Sequence, residues 1–512
     1  MFIPIAVVAV LGLFLRLHNT LVVEPRRLRS KLRKQGIDGP PPTFLLGNVM
    51  EIKNAWHGNI TKDENDPNHP VLLPTDPNTH DCTTSLFRFL KKWSQLYGQV
   101  FVFSVGYKQI VHVHHPDFLR DLKTCTSLEL RRPSYQQFKA LLGQGIVTSN
   151  GTVWKHQRKI IAPEFSLEKV KGMMNIITES AVILLNAWKG RIEAEGGFAT
   201  INIDHDVRSF TGNVMSRAYF GSNFSKGEAI FLKLRALQRS ISKMTLTSAV
   251  PLMRYIPTTP NRETWALEKD LRTLILNVVE ERKKLGTGDD KDLLQMLIEG
   301  AKSSELGIER FIVDNSKTLY LGGYETPAVS AEWCLMLLAA NQKWQDRVRA
   351  EVLEVCGGRI PDYDMIRKMK QLTMVLNESL RLYPPVPTLS REALTDMKIG
   401  GIEVPKGAHL LSWIAALHTD PEFWGPDSHE FNPERFANGI TGACKLPHLY
   451  MPFGVGPRVC PGQFLAMAEI KLLIALILSN FSFSLSPNYV HSPTFVMVTE
   501  PEYGVDLVVK NL

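Results

Sequence analysis

The N-terminus consists of an apolar run followed by a basic run. Met1–Leu15 has no charged side chain, and at ~1.5 Å per residue it forms roughly 22 Å of helix, less than the ~30 Å hydrocarbon core of a bilayer. A helix that continues to Val23, with Arg16 and His18 reaching the headgroups, is long enough to span. The pattern predicts an uncleaved anchor over residues 1–23, with a helix lying on the membrane surface as the alternative.

After residue 85, apolar residues mostly recur every three or four positions, which is typical of helices that bury one face. The spacing predicts helices over Leu86–Tyr97, Val153–Ile161, Leu167–Gly190, Thr264–Leu285, Lys291–Ala301, Phe311–Ala340, Gln342–Val355, Met374–Leu382 and Gly462–Leu478. Short strand-like stretches occur at Val100–Val105, Ile110–Val113, Lys398–Ile402 and His409–Trp413. Helices dominate and do not alternate with strands, so the pattern indicates a mainly α (α+β) fold.

The pattern also predicts how the chain is divided. Residues 24–48 form a basic, proline-rich hinge, because no helix can cross the prolines that follow Gly39. Residues 58–82 are polar and predict a long surface loop. No internal repeat or second linker is visible, so residues 49–512 are expected to form one large domain.

Composition and charge narrow the class of protein. The 512 residues are 44% apolar and 21% charged, which is ordinary for a globular chain, and six cysteines without a C-x-x-C pair argue against a disulfide scaffold or zinc ribbon. Seven basic residues and one acid between Arg16 and Lys34 account for six of the eight net positive charges. Such a cluster beside an apolar run favours a cytoplasmic membrane surface over nucleic acid.

The strongest chemical signal is the segment Phe453–Gly462, with the pattern F-x-x-G-x-R-x-C-x-G before a long apolar helix. Its glycines permit a tight loop, and amide groups at a helix start stabilise a thiolate on Cys460. Gly456 and Gly462 allow close approach to a flat group, and Arg458 can bind a carboxylate on it. A lone cysteine is otherwise usually a small buried residue.

This segment resembles the haem-binding loop of the cytochrome P450 family. The resemblance implies a helix-rich domain with small β-sheets around a buried haem b, with Cys460 as the axial iron ligand and Phe453, Gly456 and Arg458 in the cofactor site. It is supported by Glu378-x-x-Arg381, which is similar to the family's E-x-x-R. The P-E-R-F segment around Arg435 also resembles the family, which implies that Arg435 joins these two residues in a buried network that supports the loop.

The longest predicted helix contains Gly322, Gly323, Glu325, Thr326 and Pro327. Glycines weaken a helix, and Pro327 removes the N–H that would bond the Gly323 carbonyl, so a polar notch is expected. The segment resembles the family's (A/G)-G-x-(D/E)-T-(T/S) pattern except at Pro327. By resemblance, Thr326 would hydrogen-bond dioxygen and Glu325 would conduct protons from solvent.

Further residues resemble the family's haem-carboxylate partners. Trp154 and Arg158 match its W-x-x-x-R pattern, and Arg391 resembles another propionate-binding arginine. Lys155 and Lys159 form an adjacent basic strip that could meet an acidic reductase. The chain has no complete nicotinamide or flavin fingerprint, so electrons are expected from a separate NADPH–cytochrome P450 reductase in the endoplasmic reticulum membrane.

Within the family, the segments around Gly145–Gly151 and Ile160–Phe165 resemble the plant branch of gibberellin oxidases, in the clan of cytokinin, brassinosteroid and terpenoid oxidases. That resemblance implies hydroxylation or epoxidation of a hydrophobic diterpenoid acid, with a triterpenoid as an alternative. The haem loop is also compatible with a haem-thiolate isomerase or lyase and with a non-catalytic haem protein. By analogy, the substrate pocket should include Pro133–Val147, Val386–Leu389 and Phe495–Val498.

Overall fold

The computed structural model describes residues 2–57, 80–125, 129–133, 138–221, 225–242, 253–285 and 292–512. The predicted surface loop at 58–82 therefore lies outside the described residues up to position 79. Within the described chain, helices dominate and four small sheets flank them.

The helices differ greatly in length, and one of 33 residues crosses the core. In chain order they are α1 Phe2–His18, α2 Glu24–Arg33, α3 Val49–His57, α4 Cys82–Leu86, α5 Arg88–Tyr97, α6 Pro116–Thr124, α7 Lys139–Leu142, α8 Gly151–Ile161, α9 Leu167–Gly172, α10 Met174–Ala194, α11 Ile203–Phe220, α12 Ser225–Ser242, α13 Thr259–Leu285, α14 Leu293–Ala301, α15 Ile308–Ala340, α16 Gln342–Cys356, α17 Tyr363–Lys368, α18 Lys370–Leu382, α19 Ile414–Thr419, α20 Pro421–Trp424, α21 Ile440–Ala443 and α22 Gln463–Asn480.

The strands form sheets with few members each. They are β1 Val100–Val105, β2 Lys108–Val113, β3 Leu130–Arg131, β4 Phe198–Asn202, β5 Thr388–Ala393, β6 Met397–Ile399, β7 Ile402–Val404, β8 His409–Trp413, β9 Phe481–Leu485, β10 Pro493–Phe495, β11 Thr499–Pro501 and β12 Asp506–Asn511. The largest sheet has the order β1-β2-β8-β5-β3, and only β2 and β8 run parallel in it. The remaining sheets are β4-β12-β9, β6-β7 and β10-β11.

Helix α15 forms the centre of the larger hydrophobic core. It packs against α11, α14, α18 and α22, and nearly all of its side chains are buried. A helix that is apolar on all sides requires such surroundings, because no face of it can be left in water without cost. The exposed positions are residues 308–310 at the start of the helix and Gly322, which opens into the cavity described below.

Two predicted elements differ from the structure, and two long helices were not predicted. The helix predicted at Leu167–Gly190 is two helices, α9 and α10. The strand predicted at Lys398–Ile402 is a hairpin, because Gly400 and Gly401 have φ of +58° and +79° and reverse the chain. A Cβ at Gly400 would also lie 2.7 Å from the Phe118 Cα. Helices α11 and α12 were not predicted, and α11 supplies a residue that proves important for the site.

The N-terminal helix continues beyond the apolar run. A π-helical turn at Asn19–Val23 joins α1 to α2, and the guanidinium of Arg29 donates to the carbonyls of Gly39 and Pro40 at 2.9 and 2.6 Å. The basic segment is therefore attached to the body through a buried arginine. Two described stretches are long and apolar enough to cross a membrane: Val7–Arg33, whose most apolar part is exposed, and α22, which is mostly buried in the core.

Candidate active site

A cavity of about 340 Å³ lies between α15 and α22. Its wall includes Thr326 of α15, Cys460 of the loop before α22, and Arg391 of β5. The structure thus brings together residues that are far apart in sequence. It also places Trp154, Arg158, Phe453 and Arg458 in the same wall.

The loop that carries Cys460 is shaped by its glycines. Gly454 and Gly456 have φ of +77° and +67°, and a Cβ at Gly456 would lie 3.0 Å from the carbonyl oxygen of Lys123 in α6. Gly456 therefore allows the loop to pack against α6 and does not itself form the cavity wall. The amide of Cys460 donates to the carbonyl of Phe453 at 2.9 Å, which closes the loop just before α22 begins.

The thiol of Cys460 is held in an environment with opposing electrostatic effects. Burial raises the pKa of Cys460, whereas the amide of Gly462 and the positive charge of Arg158 lower it. The guanidinium of Arg158 donates to the carbonyl of Val459 at 2.8 Å, which fixes it next to the loop. The loop thus directs one sulfur, next to a cation, into a buried cavity.

Positive charge is concentrated at one end of the cavity. Arg458 stacks over the Trp154 ring at 4.1 Å and donates to the Ser149 carbonyl at 2.9 Å. Burial and repulsion from Arg132 and Arg458 lower the pKa of Arg391 to about 9, and burial with repulsion from Arg132 and Arg158 lowers that of Arg458 to about 10. In the described part of the chain, no carboxylate pairs with Arg391 or Arg458, so an anionic ligand would relieve this repulsion.

These features fit haem b. Its two propionates would pair with the guanidinium groups of the buried Arg391 and the half-buried Arg158 and Arg458, and its iron would take the Cys460 thiolate as a ligand. Arg132 also lines this end, and sequence analysis missed it. In the sequence, Arg132 is distinguished only by its position next to Arg131. Arg131 forms an ordinary surface salt bridge to Glu392, so this pair of arginines gives no sign of a cofactor site.

Comparison with known proteins settles the family. A model of the family "Cytochrome P450" matches residues 67–506. The chain belongs to the cytochrome P450 family. This P450 is 47% identical to cytochrome P450 714C2 of rice over 98% of the chain and 96% of the relative. It is 43% identical to cytochrome P450 714B3 of maize, covering 97% and 93%, and 39% identical to cytochrome P450 714A2 of Arabidopsis thaliana, covering 98% and 96%.

Family membership confirms several predictions. The protein is a P450 monooxygenase, it binds haem b, and it has the predicted helix-rich fold with small sheets. The exposed apolar helix at the N-terminus is consistent with a membrane anchor.

The predicted ion network behind the haem loop of this P450 is confirmed. Glu378 and Arg381 are fully buried and pair at 2.6 Å, and Arg435 reaches the other oxygen of Glu378 at 3.4 Å. Arg381 also donates to the buried carbonyl of His418, whose Nε2 accepts from the Met451 amide at 3.1 Å. The network therefore connects α18 to the start of the haem loop and fixes its position.

The two residues predicted to handle protons lie on different faces of α15. Thr326 lines the cavity, and its hydroxyl donates to the Gly322 carbonyl at 2.8 Å. Glu325 does not line the cavity: its side chain is only 3% exposed and forms an ion pair with Arg208 of α11. Consecutive helical residues point about 100° apart, so an acid next to a threonine in sequence need not share its surroundings.

Arg208 was not identified from the sequence, although it organises a large cluster of charges. Its guanidinium contacts Asp204 at 2.8 Å, Glu500 at 2.6 Å and Glu332 at 3.8 Å, in addition to Glu325. Burial raises the pKa of Glu332 to about 8 and that of Glu500 to about 7, despite the nearby arginine. Arg208 thus faces four acids, of which Asp204 also pairs with Arg235 at 3.2 Å, and the acids with raised pKa hold protons near neutral pH.

The other predicted pocket segments are only partly in the cavity wall. Ile146, Val147, Val386 and Leu389 line it, whereas Phe495–Val498 do not. Phe495 instead packs against Phe87, with ring centroids 5.2 Å apart. The wall includes many apolar residues, such as Leu319 and Leu465, which suit a hydrophobic substrate, and it also contains the buried Glu469.

The two glycines of α15 make different contacts, which leads to a paired prediction. A Cβ at Gly322 would meet no atom within 4 Å, whereas a Cβ at Gly323 would overlap the sulfur of the buried Met215. Gly322→Ala should leave stability equal or raise it by up to about 1 kcal/mol, because alanine favours helix. Gly323→Ala should lower stability by about 1–3 kcal/mol, because α11 and α15 must separate.

Denaturant unfolding of both haem-loaded variants, followed by circular dichroism, measures this difference. Equal midpoints for the two variants would contradict the close contact between Gly323 and Met215.

Proposed function

We propose that this P450 hydroxylates or epoxidises a hydrophobic terpenoid, in the first place a gibberellin-type diterpenoid acid. One observation carries the proposal: the same cavity contains Cys460, Thr326 and an apolar wall formed by residues such as Leu319 and Leu389. An apolar wall binds a hydrocarbon skeleton by removing it from water. The chain is also similar, over nearly its whole length, to plant P450s that all carry the number 714, and this similarity supports the proposal.

The chain's own residues would divide the chemistry as follows. Haem b, when bound through Cys460, supplies oxygen activation. Thr326 donates its one hydroxyl proton to the Gly322 carbonyl in this structure, and it would turn this proton toward dioxygen in the cavity during the reaction. Glu325 would exchange protons with the surface through the Arg208 cluster, where Glu500 and Asp204 are 18% and 24% exposed. The second oxygen of Glu325 is buried and accepts no hydrogen bond from the described residues.

The electrons would come from an NADPH–cytochrome P450 reductase in the endoplasmic reticulum membrane. Lys155 and Lys159 are exposed on α8, one turn apart, and present positive charge beside the half-buried Arg158. We propose residues 1–23 as a single-pass anchor, 24–48 as the basic connection and 49–512 as one catalytic domain on the cytoplasmic side. This arrangement is supported by the exposed apolar helix and by the seven basic residues between Arg16 and Lys34.

The substrate proposal is tested with microsomes that contain this protein, reductase and NADPH. Gibberellin precursors and triterpene acids are supplied separately, and products are identified by mass and position. Oxidation of a diterpenoid acid is expected. If only triterpene acids were oxidised, the substrate would be a triterpenoid and the diterpenoid proposal would be wrong. Equal turnover without reductase would indicate an isomerase or lyase.

Thr326→Ala tests the proton assignment. Without the hydroxyl, NADPH consumption should continue while product falls about 10²- to 10⁴-fold, the usual contribution of a positioned acid–base group. The missing product should appear as hydrogen peroxide. Thr388→Ala, which removes a hydroxyl from another part of the wall, is the matched control. A Thr326→Ala protein that keeps its product yield per NADPH would contradict the assignment and favour a non-catalytic haem protein.

A further inference from the structure

Helix α15 contains a run of buried polar residues about two turns before Thr326. All side chains of residues 314–318 are polar and at most 9% exposed, and apolar residues precede and follow them. Burial of a polar group costs free energy unless the group finds a hydrogen-bond partner. The proposed proton transfer uses none of these residues, so their partners in the fold indicate a separate role for this polar run.

Asn315 fixes the backbone of the segment 139–147, which contains α7 and the start of the next loop. Its side-chain oxygen accepts from the buried Ile146 amide at 3.0 Å. Its side-chain nitrogen donates to the Phe311 carbonyl at 2.9 Å, so both ends of the amide group are in use. A side chain that is held at both ends keeps one orientation, and it therefore holds Ile146 in one position.

Asp314 and Lys317 form a buried ion pair that contacts the same segment. Their charged groups are 3.1 Å apart. The carboxylate of Asp314 accepts from the Gln144 amide at 2.8 Å. The ammonium group of Lys317 donates to the Ala140 carbonyl at 3.0 Å. A buried ion pair needs such additional hydrogen bonds to offset the loss of water, so the segment completes this pair.

Two glycines allow the segment to lie directly against α15. Gly143 has φ of +50°, and a Cβ there would be 2.1 Å from the carboxyl carbon of Asp314. A Cβ at Gly145 would be 2.2 Å from the hydroxyl oxygen of Thr318. Because such distances are shorter than any van der Waals contact, a larger residue at either position would move the segment away from the helix.

The segment held in this way forms part of the cavity wall. Ile146 and Val147 line the cavity, as does Cys460. The carbonyl of Gln144 also accepts from the side chain of Gln157 in α8 at 2.8 Å, so the segment is attached to two helices. These hydrogen bonds fix two apolar wall residues relative to the cysteine.

We propose that the polar run is a clamp, with Asn315 as its main positioning residue, and that this clamp determines which carbon of the substrate is oxidised. The inference rests on the proposed function, since it assumes a terpenoid skeleton in this cavity. A rigid hydrocarbon skeleton is oriented by the shape of the apolar wall that it contacts. A misplacement of about 1 Å can change a rate about 10²-fold, so a shift of Ile146 and Val147 favours oxidation at a different carbon.

Asn315→Leu tests the clamp, because leucine has a similar size and removes the acceptor for the Ile146 amide. Hydrogen exchange of residues 139–147 is measured first, in the haem-loaded protein without substrate. Exchange of the Ile146 amide should be about five- to tenfold faster in the variant, the value of one hydrogen bond. The terpenoid that the wild type oxidises is then supplied, and the ratio of its product isomers should change by a similar factor.

Gly145→Ala reaches the same wall without removing any polar group. Its Cβ would overlap the Thr318 hydroxyl and push the segment away from α15. It should therefore also give faster exchange in residues 139–147 and a changed ratio of products. This second variant decides the question if Asn315→Leu does not fold, and the carbon monoxide spectrum reports the haem loading of each protein.

Ser316→Ala is the matched control. Ser316 belongs to the same polar run and is 3% exposed, but its hydroxyl pairs with Tyr219 of α11 and not with the segment 139–147. Its exchange in that segment and its product ratio should equal those of the wild type. A change of equal size in Ser316→Ala would show a general loss of stability and would overturn the clamp.

The outcomes separate this inference from the proposed function. Unchanged exchange in both Asn315→Leu and Gly145→Ala would overturn the clamp. Faster exchange with an unchanged product ratio would overturn its role in the choice of carbon. Absence of wild-type turnover on terpenoids would instead refute the proposed function, whereas the exchange measurement does not depend on turnover.

Discussion

Cys460→Ser is expected to remove turnover and the absorption band that marks a thiolate ligand in the carbon monoxide complex. A serine hydroxyl ionises far less readily than a thiol, so Arg158 and the Gly462 amide have no thiolate to stabilise. The sulfur is the only group in the proposed site that donates electron density to the iron. Turnover should therefore fall to the level of microsomes without the protein.

The design of this experiment separates ligation from folding. Cys444→Ser is the control, because Cys444 lies in a partly buried position outside the cavity wall. It should retain both spectrum and turnover. Circular dichroism should show the same helix content for both variants. If Cys460→Ser kept the thiolate-type band, Cys460 could not be the iron ligand. The cavity beside it would then not be the haem site.

Arg208→Met is expected to produce the largest loss of stability, about 3–5 kcal/mol. Arg208 is 1% exposed and is the shared cation for Asp204, Glu325, Glu332 and Glu500. Methionine fills much of the volume but leaves these acids without their shared positive charge. Because natural domains are stable by roughly 5–15 kcal/mol, the effect should be readily visible as a lower denaturation midpoint.

The same variant should become more sensitive to high pH. The pKa of Glu332 is raised to about 8 and that of Glu500 to about 7, both above the value of 4.5 for an ordinary glutamate. Acids with raised pKa favour the folded state when protonated, and this contribution is lost as pH rises through the folded pKa. Between pH 6 and 8, the free energy of unfolding should therefore fall more steeply with pH in Arg208→Met than in the wild type.

Arg217→Met provides the control on the same helix. Arg217 pairs with Glu179, whose side chain is 62% exposed, and such surface bridges contribute about 0–1 kcal/mol. The denaturation midpoint of Arg217→Met should therefore differ little from that of the wild type, and it should not become more dependent on pH. If both arginine variants lost equal stability, the charge cluster around Arg208 could not be the cause.

Local sequence was sufficient for features that depend on neighbouring residues. The spacing around Cys460 specifies a glycine-shaped loop before a helix, and Glu378 and Arg381 are three residues apart, so one helix brings them together. Arg435 could be added only because the family resemblance links it to that pair. The long apolar α15 was also predictable, since its hydrophobic residues continue over many turns.

Placement of a side chain relative to another element required the tertiary structure. Sequence placed Glu325 beside Thr326, but the packing of α11 against α15 put Arg208 opposite the acid and turned the threonine toward the cavity. The local pattern around Arg208 identifies only Asp204, one helical turn away, whereas its other partners lie up to 292 positions away. Sequence by itself thus determined the haem loop and long apolar helices such as α15, whose bonds are local, but not α11 and α12. Only the three-dimensional packing decided which charges meet, because burial and pairing depend on distances between elements that no local pattern encodes.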